Sequence, residues 1–199
     1  MKIVRAIECR STPWKNGGGA TTEICIEPAG ASFDDFDWRV SMARIASDGP
    51  FSEFAGIDRT LAVVSGTELA LTIGNAAAVV VHRNSDPIRF AGDTPSSARL
   101  LAGEIIDLNV MSRRGRFEHR LLPIRTPTDC DFGDQDIAVI VAPSGNVSLT
   151  SPQGIVTLGC GDAAILARTG DAPFRIAPAA EAACYVVMLR KLEDQAGWA

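Results

Sequence analysis

The chain has 199 residues, of which 46% are hydrophobic and 22% are charged, and its formal net charge at pH 7 is −5. Both fractions are close to the globular average, which excludes wholesale disorder, and the length suits one large all-β domain or two small ones. The acidic balance, without a basic stretch that contains interleaved aromatic residues, argues against a nucleic-acid partner.

The sequence also argues against membrane attachment and against a metal centre. Charges interrupt the apolar residues of segment 1–6, so it does not resemble a signal peptide, and no apolar run is long enough to span a bilayer. Five cysteines are dispersed without a CxxC pair, and two histidines cannot supply a three-histidine site. We therefore expect a cytoplasmic protein with no metal and no other cofactor.

The first informative motif is the stretch 13–23, which contains three successive glycines. Asn16 followed by glycine favours a tight turn with positive φ, and glycines let backbone N–H groups come close to a ligand. Alternation then predicts a strand with Ile24 and Ile26 on one face and Glu23 on the other. The motif predicts a glycine turn with Lys15, Asn16 and Glu23 around it, although an exposed hairpin that carries one lysine is an alternative.

The segment 38–45 alternates in the manner of a strand. Trp38 and Val40 share one face, and Arg39 and Ser41 share the other with Ala43. An arginine beside small residues either meets an anion or extends to solvent, and a structural salt bridge is the simpler interpretation.

The segment 105–111 repeats this arrangement, with Asp107 and Asn109 on one face and apolar Leu108 and Val110 on the other. Such strands line a polar pocket if another sheet covers the apolar face; otherwise they are ordinary half-buried strands. Arg59 begins an apolar strand directly after Asp58, and it pairs either with that carboxylate or with a ligand.

Short alternating or apolar runs predict twelve strands, and helix signals are scarce. The predicted strands are 21–27, 38–45, 59–64, 68–73, 77–82, 105–111, 117–122, 135–142, 147–150, 163–167, 174–177 and 184–190. Their close spacing indicates an all-β sandwich or barrel, and a weak internal echo suggests two related β-barrel modules.

Several of these motifs together resemble the HutD/Ves family of bacterial proteins. The matching stretches are 13–19, 22–24, 36–43, 49–52 with Phe54, 56–59, 90–93 and 107–111 with Arg113. The resemblance implies a bicupin, in which two cupin-like jelly-roll β-barrels pack together. The modules are expected at 1–122 and 123–199, with strand exchange between them as an option.

The resemblance also implies a role in histidine utilisation and a pocket for a small carboxylate-bearing metabolite, such as an N-formylglutamate or a urocanate-like compound. The pocket candidates carried over from the family are Lys15, Asn16, Glu23, Arg39, Ser41, Arg59, Asp107 and Asn109. The favoured hypothesis is a metal-independent binding protein with a regulatory role. An enzyme that uses Glu23 or Asp107 as general base and a protein interaction module are the alternatives, and a homodimer is one possible assembly.

Overall fold

Strands dominate this protein, whose structure is a computed structural model that describes residues 1–193. The strands are β1 (Lys2–Val4), β2 (Ser11–Pro13), β3 (Gly19–Glu27), β4 (Trp38–Ile45), β5 (Gly49–Pro50), β6 (Ile57–Ser65), β7 (Glu68–Ile73), β8 (Val79–His82), β9 (Ile88–Ala91), β10 (Ser96–Leu100), β11 (Ile105–Arg113), β12 (Phe117–Pro123), β13 (Thr128–Cys130), β14 (Ile137–Ser144), β15 (Val147–Ser151), β16 (Gly154–Leu158), β17 (Ala163–Ala167), β18 (Phe174–Pro178) and β19 (Ala183–Lys191). One turn of 3₁₀ helix covers Ala6–Glu8. Within residues 1–193, no helix combines the length and the hydrophobicity that a bilayer crossing needs.

The prediction of an all-β chain with little helix is confirmed, and each of the twelve predicted strands is present. The sequence did not predict β1, β2, β5, β9, β10, β13 and β16. These strands are two to five residues long. A strand this short completes too few alternations to be distinguished from a loop.

The strands form four antiparallel sheets. The six-stranded sheet has the order β2-β3-β4-β11-β6-β9, and the five-stranded sheet has the order β1-β17-β14-β19-β12. The N-terminal four-stranded sheet has the order β5-β10-β7-β8, and the C-terminal one has the order β13-β18-β15-β16.

The two larger sheets pack face to face in the centre of the molecule. Val40 and Leu108 of the six-stranded sheet meet Val139 and Val187 of the five-stranded sheet in one apolar core. The opposite face of each larger sheet packs against its own four-stranded sheet, which gives two further apolar cores. The layers therefore form two jelly-roll modules that share a central core.

Two strands from the predicted first module pair with the five-stranded sheet. β1 is hydrogen-bonded to β17, and β12 is hydrogen-bonded to β19. Both ends of the predicted first module thus pair with the five-stranded sheet, and the division at 122/123 and the strand exchange stay predictions. Residues 194–199 of the second predicted module lie outside the described residues.

Candidate functional site

Polar residues lie on the inner face of the six-stranded sheet, toward the N-terminal four-stranded sheet. On β4 and β11 the apolar residues Val40 and Leu108 point into the central core, so the five-stranded sheet covers that face. Because side chains alternate along a strand, Arg39 and Asp107 point the other way, into the N-terminal module. The condition for a polar pocket, an apolar face covered by another sheet, is therefore met.

A cavity of about 640 Å³ opens on this inner face. Seven of the eight candidate residues line it: Lys15, Asn16, Glu23, Arg39, Arg59, Asp107 and Asn109. Ser41, the eighth, is 1% exposed and does not line the cavity. It is the register partner of Asn109 on β11, so it supports the wall from within the sheet.

The glycine turn places Lys15 and Asn16 at the rim, where both side chains are exposed. Gly17 has a φ of 71°, as the Asn-Gly pair predicts. The Gly17 N–H donates to the Trp14 carbonyl, and the Gly18 N–H donates to Asn16 Oδ1 at 3.0 Å. These N–H groups are therefore used within the turn. Contact between the glycine backbone and a ligand stays a prediction.

A bulge in β3 changes the faces predicted for that strand. Glu23 pairs with Ser41 on β4, but the register then shifts before Cys25 pairs with Val40. Ile24 consequently packs in the central core, whereas Ile26 packs in a small cluster with Phe36, Ile57 and Met111. The prediction that Ile24 and Ile26 share a face is wrong, since a bulge inserts one residue into the alternation.

Arg39 already has a carboxylate partner. It is 6% exposed, and its Nε donates to Glu23 Oε2 at 2.9 Å. Its guanidinium lies 4.9 Å from the ring centre of Phe33, at the cavity mouth. Glu23 lies opposite Ser41 on β4, on the same face as Arg39, and the ion pair balances the charge of Arg39.

Arg59, in contrast, is a buried cation that forms no ion pair within residues 1–193. It is 3% exposed, and no carboxylate in residues 1–193 lies within the 4.0 Å that defines an ion pair. Its Nη1 donates to the Ser52 carbonyl at 3.2 Å, and in the described part of the chain its Nε has no partner. Burial lowers the pKa of Arg59 to about 10, with Asp107 opposing, so the group stays charged at neutral pH.

Three aromatic rings surround the Arg59 guanidinium. The ring centres of Phe51, Phe54 and Phe90 lie 5.2, 5.7 and 5.2 Å from it. Such contacts stabilise a desolvated cation and fix its position. These rings were not predicted as site residues, although the family motifs 49–52 with Phe54 and 90–93 contain them.

The suggestion that Asp58 pairs with Arg59 is wrong. Asp58 instead bonds with Arg89 at 2.8 Å and with Arg114 at 3.1 Å. Neighbours on a strand point to opposite faces, so the two side chains cannot meet easily. Arg59 therefore does not pair with Asp58 and lines the cavity.

Two polar groups on β11 complete the inner wall. Asp107 is 1% exposed, and its Oδ1 accepts a hydrogen bond from the Ala43 N–H at 3.2 Å. Burial raises the pKa of Asp107 to about 7, with Arg59 opposing the shift. The Oδ1 of Asn109 is buried and has no partner in residues 1–193. The wall therefore presents a cation, a carboxyl group that titrates near neutrality and an unused acceptor.

Neither histidine lies in the cavity. His119 is buried between the larger sheets, where its ring nitrogens bond with Thr60 Oγ1 at 2.8 Å and Ser112 Oγ at 2.7 Å. His82 is exposed on β8. In residues 1–193, no group of three or more His, Cys, Asp or Glu side chains is placed to hold a metal ion.

Comparisons of the sequence and of the structure with known proteins point to the same family. A model of the HutD family matches residues 6–184. The chain is 37% identical over 146 residues to the protein Ves of Citrobacter koseri, which covers 71% of this chain and 74% of that protein. HutD from Pseudomonas fluorescens SBW25 has a similar structure, with 26% identity and a TM-score of 0.84 over 96% of this chain and 99% of that chain.

A more distant structural neighbour supports the fold alone. The cupin 2 conserved barrel domain protein from Leptotrichia buccalis aligns with a TM-score of 0.53 at 12% identity, covering 96% of each chain. The predicted bicupin fold is confirmed by this likeness and by the two jelly-roll modules. Since the family model spans most of the sequence, the chain belongs to the HutD family, which is associated by name with histidine utilisation.

Proposed function

We propose that this protein binds a small carboxylate-bearing metabolite in the Arg59 cavity and has a regulatory role in histidine utilisation. One observation carries the proposal: within residues 1–193, Arg59 is a buried cation whose Nε has no hydrogen-bond partner and whose guanidinium has no carboxylate within 4.0 Å. A charge held away from water needs a counterion. A ligand carboxylate that enters the cavity would supply one.

The neighbouring groups suggest the rest of the ligand. Asn109 Oδ1 is an unused acceptor, and an amide or formamide N–H would satisfy it. Lys15 at the rim suits a second carboxylate. N-formyl-L-glutamate carries these functions together, and urocanate combines a carboxylate with a ring N–H.

The comparisons add two supporting points. The structure of HutD from Pseudomonas fluorescens is described as a formate condition, and formate is the smallest carboxylate. The family association directs the search toward intermediates of histidine breakdown. We place the protein in the cytoplasm, an assignment supported by the free thiols of all five cysteines.

The test is isothermal titration calorimetry with N-formyl-L-glutamate and urocanate. Arg59→Met removes the charge but keeps an unbranched apolar side chain between the three rings. Because hydrogen bonds to charged groups contribute about 1.5–3 kcal/mol, the variant is expected to bind about 10- to 100-fold more weakly. The control is Arg175→Met on β18 of the other module, where Arg175 is half exposed and pairs with Asp129.

Unchanged affinity in Arg59→Met would contradict the proposal, as would an equal loss in Arg175→Met. Unfolding curves in guanidinium chloride show whether each variant is folded before it is titrated. Weak binding by a folded Arg59→Met protein then shows that the ligand needs the charge of Arg59 in the cavity.

An enzyme acting on the same class of ligand is the second candidate. Asp107 favours it, because a buried carboxyl with a pKa of about 7 is matched to general acid–base work near neutrality. Incubation with N-formyl-L-glutamate or urocanate, followed by chromatography, tests for turnover. Turnover that is lost in Asp107→Asn while binding is retained would favour the enzyme; binding without turnover would favour the regulator.

A further inference from the structure

A second pocket lies between the two modules and shares no lining residue with the Arg59 cavity. Its walls come from both halves of the chain: the end of β6 and the turn after β8, and the segment after β12 and the turn before β19. We call it the intermodule groove. Its volume of about 460 Å³ is within the range of small-molecule sites.

Two arginines give the groove a positive character. Arg125 donates from Nη1 and Nη2 to the side-chain and backbone oxygens of Asn84, at 3.3 and 3.2 Å. These acceptors are neutral, and no ion pair within residues 1–193 involves Arg125 or Arg83. Among residues 1–193, Glu181 is the one carboxylate in the lining, so these residues give the groove a positive formal charge.

Tyr185 adds a hydrogen-bond donor. The residue is 4% exposed, and it packs in the central core. No hydrogen bond to its hydroxyl is present within residues 1–193, and the side chain lines the groove. Burial raises the pKa of Tyr185 while Arg125 and Arg83 oppose the shift, so the phenol stays protonated and both guanidinium groups act on it.

The apolar residues of the lining offer little surface to a ligand. Val63, Val64 and Ile124 are at most 8% exposed, and their side chains pack in the three larger apolar cores. The accessible lining is therefore mainly polar and suits a small anion.

We propose that the intermodule groove binds a second small molecule that carries an oxyanion, a carboxylate or a phosphate. The oxyanion lies between Arg83 and Arg125 and accepts from the Tyr185 hydroxyl. Such a ligand touches both modules, whereas the ligand of the Arg59 cavity touches the first module.

The test is an NMR titration of the full ¹⁵N-labelled chain with phenyl phosphate and with benzoate. The neutral compound benzamide is the ligand control. We expect saturable shifts at the backbone amides of Asn84, Arg125 and Tyr185 with one or both anions, and none with benzamide. Binding of phenyl phosphate alone assigns a phosphate, and binding of benzoate assigns a carboxylate.

Variants separate this site from general attraction by positive charge. Arg83→Ala is expected to weaken binding about tenfold, since charged hydrogen bonds at partly exposed sites contribute less than buried ones. Tyr185→Phe, which keeps the ring in the core, is expected to weaken it several-fold. The control Arg99→Ala removes an exposed arginine from β10, and it should leave the affinity unchanged.

Arg59→Met should leave binding in the groove unchanged, so a failure here and a failure of the Arg59 cavity are distinguishable. The proposal is overturned if neither anion gives saturable shifts in the groove at millimolar concentration. It is also overturned if Arg99→Ala weakens binding as much as Arg83→Ala does.

Discussion

His119 makes the central core sensitive to acid. Its imidazole lies on β12 in the five-stranded sheet, and it bonds with Thr60 and Ser112 of the six-stranded sheet. Burial, with a smaller contribution from Arg89, lowers the pKa of His119 to about 4. In the unfolded chain the imidazole takes up a proton near pH 6.5. The unfolded state therefore binds more protons between pH 6.5 and 4, and the folded state loses stability as the pH falls through this window.

The size of the effect follows from the two pKa values. Between pH 7 and pH 4.5, the difference between the pKa of His119 in the unfolded and the folded state corresponds to a loss of about 2 kcal/mol in the free energy of unfolding. Asp107 titrates in the opposite sense in this window, because its raised pKa favours the folded state as the pH falls. A comparison of variants is therefore needed to isolate the histidine.

Urea unfolding at pH 7 and pH 4.5 is the assay, with the His119→Gln variant beside the wild type. The wild type should lose about 2 kcal/mol more than His119→Gln over this interval. His82→Gln is the matched control, since His82 is the second of the two histidines and is exposed on β8. Equal pH dependence in the wild type and His119→Gln would refute the reasoning, as would an NMR titration of His119 near pH 6.5.

Three further predictions concern the site, the glycine turn and the thiols. The affinity for N-formyl-L-glutamate, measured by calorimetry, should rise as the pH falls below 7. Asp107, whose pKa is raised to about 7, then becomes protonated and repels the ligand carboxylate less. An equally steep pH dependence of the affinity in Asp107→Asn would contradict this. Gly19→Ala should destabilise the fold by several kcal/mol in chemical unfolding, since its Cβ would meet a backbone carbonyl and an indole ring. Gly17→Ala, at a φ of 71° but with open space around the Cβ, should destabilise it by about 1 kcal/mol. Equal losses of stability in the two variants would refute the packing argument. Iodoacetamide should label exposed Cys160 in the native protein but not Cys25, since burial raises the pKa of Cys25 to about 12. Mass spectrometry that finds Cys25 labelled before Cys160 would contradict this prediction.

The sequence predicted the strands and the polar face well, because both depend on local alternation. On β4 and β11 the apolar and polar residues separate as predicted, and the central core receives the apolar ones. The sequence failed at β3, where the bulge after Glu23 reverses the faces. Nothing in the local pattern marks a bulge, since it is set by pairing with the neighbouring strand.

The roles of the two cavity arginines could not be ranked from the sequence. For Arg39 the sequence left a ligand anion and a structural salt bridge open, and Glu23 supplies the salt bridge. Arg59 has no ion-pair partner among residues 1–193, because Asp58 beside it on β6 points away to other arginines. Ion pairing depends on distances between remote segments, and the sequence does not contain those distances.

The measurement that tests the account most directly is a crystal structure of the protein soaked with N-formyl-L-glutamate. We predict a ligand carboxylate at about 3 Å from the Arg59 guanidinium, where it satisfies the free Nε. A ligand bound with no contact to Arg59, or a cavity that holds only water at saturating ligand, would contradict the central claim.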